Sequence, residues 1–487
     1  MRKWLLGGLV LLLVLCGGGV AALVYRVVRP PLDVRADFTR PLRVPPTAAS
    51  TVDAQGRRVF DLRAQPGERD FGHGATRTWG YNGAYLGPTL RAKRGEPVVV
   101  NVRNALAEPT TVHWHGMHLP AAMDGGPHRP IPTGGEFRAA WTVDQPAATL
   151  WYHPHPSVRT ETQVYRGLAG LFLVDDDEPA QRALPHDYGV DDIPVLVQDK
   201  SFDGDQLSMD ARFGSDIGVL GDEILVNGTP GPYVDVRSAL VRLRLVNAST
   251  ARVYAFTLAD HRPFALVGTD GGLLARPAMT SRVRLSVGER AEIVVALRPG
   301  ERLALRSERP LGGDLGSRFN GGQDSFDILQ LRAAATLTPA TLPETLVSIP
   351  RLDPARAAQT RTFAFQGREI NGDRMDMGRV DAVVVKDTVE VWNVSNGHDT
   401  PHSFHIHDVQ FQVLTVDGHA PPPELSGWKD TVFMAPHQRY SVIARFADYA
   451  DPATAYMFHC HVLKHEDEGM MGQFVVVERG QRPRLHG

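Results

Sequence analysis

The sequence predicts an all-β chain of three similar Greek-key β-sandwich domains, preceded by an N-terminal segment that either spans a membrane or is cut off on export. Three observations carry that expectation. The 487 residues include 47 glycines and 36 prolines, so turns are frequent and a bundle of long helices is disfavoured. Short runs that alternate apolar and polar residues, the period of a half-buried strand, recur between those turns. Finally, one pattern occurs three times, as VVVNVRNALAEPTTVHWHG, LVRLRLVNASTARVYAFTL and VEVWNVSNGHDTPHSFHIH: an apolar strand, an Asn, a polar loop and an alternating strand.

Each copy continues into a turn and a strand, PTGGEFRAAWTV, VGERAEIVVALRP and APHQRYSVIARF. Placing His113, Tyr254 and His405 in register separates the copies by about 140–150 residues, which suits one β-sandwich domain each. The expected boundaries are 51–180, 190–335 and 355–480. Pro-rich segments from Arg29 to Pro46 and from Thr336 to Pro354 read as linkers, and residues 29–50 are assigned to the first of them. In the middle copy Tyr254 and Phe256 stand where histidines stand in the other two. That domain is therefore expected to hold no metal.

The chain opens with MRK and an uncharged run from Trp4 to Tyr25, bounded by Arg26 and Arg29. About 20 such residues span a bilayer, whereas a cleaved signal has an apolar core of about 7–15. Residues 1–28 are thus read as an anchor, in preference to a secretory signal cut after Ala22. A lipid anchor on Cys16 is disfavoured because Leu15 precedes it where a small residue is wanted. No twin-arginine pair is present. The body is expected on the outer face of the membrane, anchored or secreted. A formal charge of −3 with no basic cluster excludes nucleic acid as a partner.

Cys16 falls in the targeting segment, so Cys460 is the only thiol of the exported body and has no disulfide partner. It stands in HCHVLKHEDEGMM, between His459 and His461. Successive side chains of a strand point to opposite faces, so the two imidazoles share one face and the sulfur takes the other. One metal cannot use all three, and the sequence implies two centres back to back. The same i, i+2 pairing recurs as His113 and His115, His153 and His155, and His405 and His407, giving eight imidazoles to one side. On the sulfur side stand His402, His465 and Met470. Two His, one Cys and a weak Met form the blue-copper set, and a structural zinc site would not need a second cluster joined through the cysteine's neighbours.

HWHG, WYHPH, HSFHIH and HCHVLKHEDEGM resemble the four copper signatures of the multicopper oxidases, a family that includes laccases and bacterial copper-efflux oxidases. The likeness runs from about residue 75 to 478 and extends to GYNGAYLGPTLRAKRGE, MDGGP, GLAGLFLVDDDE and GWKDT. The resemblance implies cupredoxin-like domains and four copper ions. His402, Cys460, His465 and Met470 would hold type 1 copper; His113 and His405 type 2; His115, His153, His155, His407, His459 and His461 the type 3 pair. Electrons from a reductant would pass through Cys460 to the three-copper cluster, where O2 is reduced to water. Asp124 and Glu466 match acidic residues that supply protons.

His73, His118, His128, His398, His419 and His437 are expected on loops or the surface, and Met471 in packing. Copper-efflux members carry a Met-rich insertion before the third signature, which supplies soft ligands for Cu(I). This chain has only Met375 and Met377 nearby. A phenolic or similar organic reductant is therefore expected ahead of a metal ion, with a copper-free structural or cell-division role as a remote alternative. The protein is expected to act as a monomer.

Overall fold

The computed structural model describes residues 30–210 and 216–485. The Trp4–Tyr25 run and Cys16, on which the anchor, signal and lipid readings rest, lie outside the described residues. Among the described residues no helix is long and apolar enough to cross a membrane.

Three two-sheet sandwiches follow one another with the same strand order. In the first, Arg58–Asp70 pairs parallel with Pro97–Asn104, which pairs antiparallel with Glu136–Thr142. Asp192–Asp203, Leu240–Asn247 and Arg290–Ala296 repeat this arrangement in the second. Gln359–Gln366, Thr388–Asn396 and Arg439–Phe446 repeat it in the third. The opposing sheets correspond too, sharing an equivalent parallel pair: Leu90–Lys93 with Gly170–Asp175, Pro232–Ser238 with Ser325–Thr338, and Ala382–Val385 with Met471–Val477. A parallel neighbour cannot be reached by a tight hairpin, so the chain crosses between sheets. This is the all-β, three-domain organisation that the repeated pattern and the turn-rich composition predict.

Alternation buries one face of each sheet and fills a separate core in each sandwich, around Val100 and Phe172, Leu243 and Phe256, and Trp392 and Phe458. Tyr254 and Phe256 are fully buried in the middle core. The positions that hold histidines in the outer domains therefore serve packing here, and the Tyr254 hydroxyl is 2.9 Å from that of Ser249.

Residues 33–41, inside the expected Pro-rich linker, do more than connect. Asp33–Val34 adds a parallel strand to Ser325–Phe326, and Arg40–Pro41 pairs with Pro232–Tyr233. Both partners belong to the second domain, although the segment leads into the first. Leu32, Val34 and Leu42 pack against the second core, Asp324 accepts from the Leu32 N–H at 2.9 Å, and Arg306 Nη2 donates to Asp33 at 2.8 Å. Nothing local in a Pro-rich stretch reveals a strand whose partner lies nearly 300 residues on.

A chain beginning at residue 43 loses these contacts. With three half-buried aliphatic side chains removed, the loss is about 3 kcal/mol, which lowers the melting temperature by about 6–12 °C for a domain of this size. Calorimetry against a chain beginning at residue 30 measures it, and an unchanged transition would mean that the strap is only a tether.

Candidate metal centres

Strand pairing brings the histidine pairs together. His113 lies opposite His153 across two antiparallel strands of the first domain, and His405 lies opposite His459 in the third. Directly opposed residues share a face. On the other face of that third-domain pair, Cys460 lies opposite Phe404. The two faces expected for His459, Cys460 and His461 are therefore separated, and the first and third domains meet on the imidazole side.

There the rings converge with their lone pairs inward. His155 Nε2 and His407 Nε2 each lie 3.2 Å from His459 Nε2, and His461 Nε2 lies 3.1 Å from His115 Nδ1. His113, His115 and His153 form one group of nitrogens within 4.8 Å, and His113, His405 and His407 another. The outward nitrogens are occupied. His113 Nδ1 faces the Asp124 carbonyl at 3.0 Å, His153 Nδ1 that of Pro154 at 2.8 Å, His405 Nδ1 that of Asp430 at 2.9 Å and His459 Nδ1 that of Cys460 at 3.1 Å. His407 Nδ1 faces Asp124 Oδ2 at 2.7 Å, and His115 Nε2 faces Asp430 Oδ1 at 3.0 Å. A carbonyl or carboxylate can only accept, so the proton of each neutral ring sits outside and the inner nitrogen keeps its lone pair.

That arrangement fits a metal and little else. The inner Nε2 atoms of His113, His153 and His405 are buried and have no hydrogen-bond partner among the described residues, a costly state for a polar atom unless something is bound there. Burial first, and the neighbouring imidazoles next, hold His153, His155, His407, His459 and His461 well below the usual imidazole range. The rings are therefore neutral, as metal ligation requires.

The sulfur side is a second, smaller nest. Cys460 Sγ lies 3.4 Å from His402 Nδ1 and 3.5 Å from His465 Nδ1, and those two nitrogens are 3.0 Å apart. Burial lowers His402 to about 3 and raises the Cys460 thiol to about 12. A metal entering here has to displace the thiol proton, which copper does readily. Met470 is fully buried in the same core as Cys460, and its carbonyl accepts from the Cys460 N–H at 3.1 Å. Met471 instead pairs across the strand with His459.

The carboxylates brace the larger nest. Asp124 is 2% exposed and touches both His113 and His407. The tight turn after it needs glycine: Gly125 has φ +73°, and a Cβ there would lie 1.7 Å from the Val112 carbonyl oxygen. Glu466 stands 3.2 Å from His155 Nδ1 and 3.3 Å from His459 Nδ1, and burial keeps its carboxyl well above the usual range. Of the remaining histidines, His73, His419 and His437 are exposed and His118, His128 and His398 half-buried, and none joins either nest.

Sequence reasoning missed Asp430 and Arg290. Asp430 lies within GWKDT, yet nothing in the spacing shows that it reaches His115, 315 positions earlier. Arg290, from the second domain, grips Asp430 with two 2.6 Å bonds and donates to the Thr149 carbonyl of the first domain at 3.0 Å. Burial opposes the charge of Asp430, but Arg290 and His115 hold it ionised, well below the usual carboxylate range. Gly288 of the same domain leaves room for the rings, since a Cβ there would come within 3.1 Å of both His461 and His115.

Asp430→Asn removes the nearer of two counter-charges of the buried Arg290 guanidinium, leaving Asp270 at 3.7 Å. Stability should fall by about 3–5 kcal/mol, and copper affinity of the histidine nest by about 10–100-fold through loss of the His115 anchor. Thermal melts of the metal-free protein and copper titrations check the two effects separately. Parental values in both would remove Asp430 from the site.

Family models described as multicopper oxidase match residues 63–179, 197–307 and 346–480. The multicopper oxidase mco of Staphylococcus haemolyticus is 36% identical over 441 residues, covering 89% of this chain and 91% of the relative. The cell division protein FtsP of Dickeya dadantii is 35% identical over 464 residues, 91% of this chain and 94% of that one. A bacterial laccase-like multicopper oxidase, CueO from Ochrobactrum sp., superposes with a TM-score of 0.82 at 35% identity, covering 90% of this chain and all of the other. With three successive domain matches and relatives that share nearly its whole length, this chain belongs to the multicopper oxidase family, copper-dependent oxidoreductases built from three cupredoxin-like domains.

Proposed function

We propose that this protein oxidises small organic reductants, phenolic or similar, one electron at a time, and delivers four electrons to O2 to give water. The observation that carries the reading is the place of Cys460: its sulfur belongs to one nest while the imidazoles of the residues on either side belong to the other. In this reading His402, Cys460, His465 and Met470 hold a type 1 copper, His113 and His405 a type 2 copper, and His115, His153, His155, His407, His459 and His461 a type 3 pair. Four copper ions held there supply a one-electron acceptor and a three-metal store that matches the four-electron demand of O2.

The chain's own residues supply the rest. Cys460 links the nests covalently, through its backbone to His459 and His461. Burial of every ring excludes bulk water from the larger nest. Glu466, kept neutral by burial, holds a proton within reach of His155 and His459. Asp124 accepts from His407 and sits on the type 2 side. We assign these two carboxyl groups to proton delivery. All donors come from one chain, so a monomer suffices. The apolar run from Trp4 to Tyr25 puts the reaction outside the cytosol.

The organic reductant is preferred because the chain lacks a Met-rich insertion, and because the Ochrobactrum relative is described with oxidase activity towards lignin model compounds. A second reading, oxidation of Cu(I) or another soft metal ion, draws on the loop that carries Met375, Asp376 and Met377. Its Met375 N–H bonds the Gly469 carbonyl, next to Met470, and Met377 is 38% exposed. A cell-division role like that named for the FtsP relatives would leave the converging donors without a use.

Oxygen uptake by copper-reconstituted protein should be faster with a phenol than with Cu(I) or Fe(II), and Cys460→Ser should abolish it together with the blue colour while copper still loads the histidine nest. Faster uptake with a metal ion would favour the second reading, and a blue Cys460→Ser protein would sink the ligand assignment. Glu466→Gln should bleach normally when reduced without air but reoxidise about 10² to 10⁴ times more slowly, with the deficit shrinking at low pH. Stopped-flow reoxidation measures it, and a parental rate across the pH range would make Glu466 structural.

A further inference from the structure

We propose that Arg368 is a positioning residue that raises the reduction potential of the metal held by His402, Cys460 and His465, through a guanidinium clamped by Glu468 and Asp216. The proposal rests on the reading that those three residues hold copper.

Arg368 follows Gly367 in the turn between strands Gln359–Gln366 and Glu369–Ile370, and is only 9% exposed. Every arm of its guanidinium is held. Nε donates to Glu468, Nη1 to the Gly367 carbonyl at 3.0 Å, and Nη2 to the Asp216 carbonyl at 2.5 Å and to its carboxylate at 2.8 Å. Both anchors lead to the sulfur nest. Glu468 caps the short helix Leu463–Asp467 that carries His465, and Met470 returns to that helix by donating to the His465 carbonyl at 2.9 Å. The Asp216 backbone, contributed by the second domain, also faces the His465 ring.

The guanidinium is bonded both to the residue that closes the helix of His465 and to the Asp216 segment, so a buried positive charge lies in the cover of the sulfur nest. A metal gaining an electron at this nest loses one positive charge. A nearby buried cation destabilises the oxidised site more than the reduced one, and burial limits the screening of that effect. The opposing carboxylates are wetter: the side chain of Asp216 is 62% exposed and that of Glu468 40%. Water therefore weakens their field more than that of the guanidinium, which leaves a net positive influence.

The test is a redox titration of the blue band in the full-length, copper-loaded protein, with copper content measured alongside. Arg368→Met should lower the midpoint, disfavouring the reduced form about tenfold, which is about 59 mV for a one-electron couple. Arg368→Lys should stay near the parental midpoint, and Glu468→Gln should move it upward. An unmoved midpoint in Arg368→Met, or a shift of Arg368→Met and Glu468→Gln in the same direction, overturns the proposal, because a clamp that only braced the fold would disturb the site alike in both. If Arg368→Met fails to fold, Glu468→Gln decides alone: a raised midpoint supports the proposal, and an unchanged or lowered one overturns it. A parental protein that binds copper without turning blue would overturn the ligand reading and this proposal with it. A blue parental protein with unmoved variants overturns this proposal only.

Discussion

The larger nest depends on keeping protons off the inner nitrogens of its buried imidazoles. A single ring turned over, or charged, would aim an N–H into a space lined by lone pairs. The fold prevents this by giving the outer nitrogen of every ring except His155 and His461 a carbonyl or carboxylate oxygen within 3.1 Å. For His153 and His459 the acceptor is the carbonyl of the next residue, so local chain geometry and the tautomer are fixed together there. Burial does the remainder by making imidazolium unfavourable.

The second domain, which among the described residues gives no donor to either nest, is part of this arrangement. Arg290 joins Asp430 of the third domain to Thr149 of the first, and Lys429 is held beside it by Asp270 at 3.0 Å and Glu289 at 2.8 Å. Buried charges of this kind are tolerable only when fully paired, and the pairs here complete themselves only when all three domains are docked. The second domain carries Tyr254 and Phe256 in a packed core where the other two carry histidines, yet it supplies the cation that holds the carboxylate behind His115. Its segment at Asp216 meets the sulfur nest as well. The cleft between the first and third domains is thus braced by a second domain that gives no residue to either nest among the described residues.

The two nests differ in how they meet solvent. The histidine nest sits deep between domains, with Asp124 and Glu466 buried against it. The sulfur nest is covered by the Arg368 turn, the Glu468 loop and the Asp216 segment, and the two acidic side chains of that cover are partly wet. In the proposed reading electrons enter on the sulfur side and protons on the side of the buried carboxyl groups. Cys460 and its two neighbours form the boundary.

The sequence by itself determined the fold class, the threefold repeat, the two faces around Cys460 and the histidines that cluster on either side of it, because each of these is encoded locally. Strand alternation has a period of two, and ligand pairs at i, i+2 declare a shared face before any tertiary contact is known. The tertiary structure alone decided which distant groups meet. Residues 33–41 look like linker and complete the second domain's sheets; Asp430 finds His115; Arg290 crosses two domain boundaries; Arg368 reaches Glu468, 100 positions away. Charge pairs and edge strands carry no periodic signal, and their partners are set by how rigid sandwiches dock.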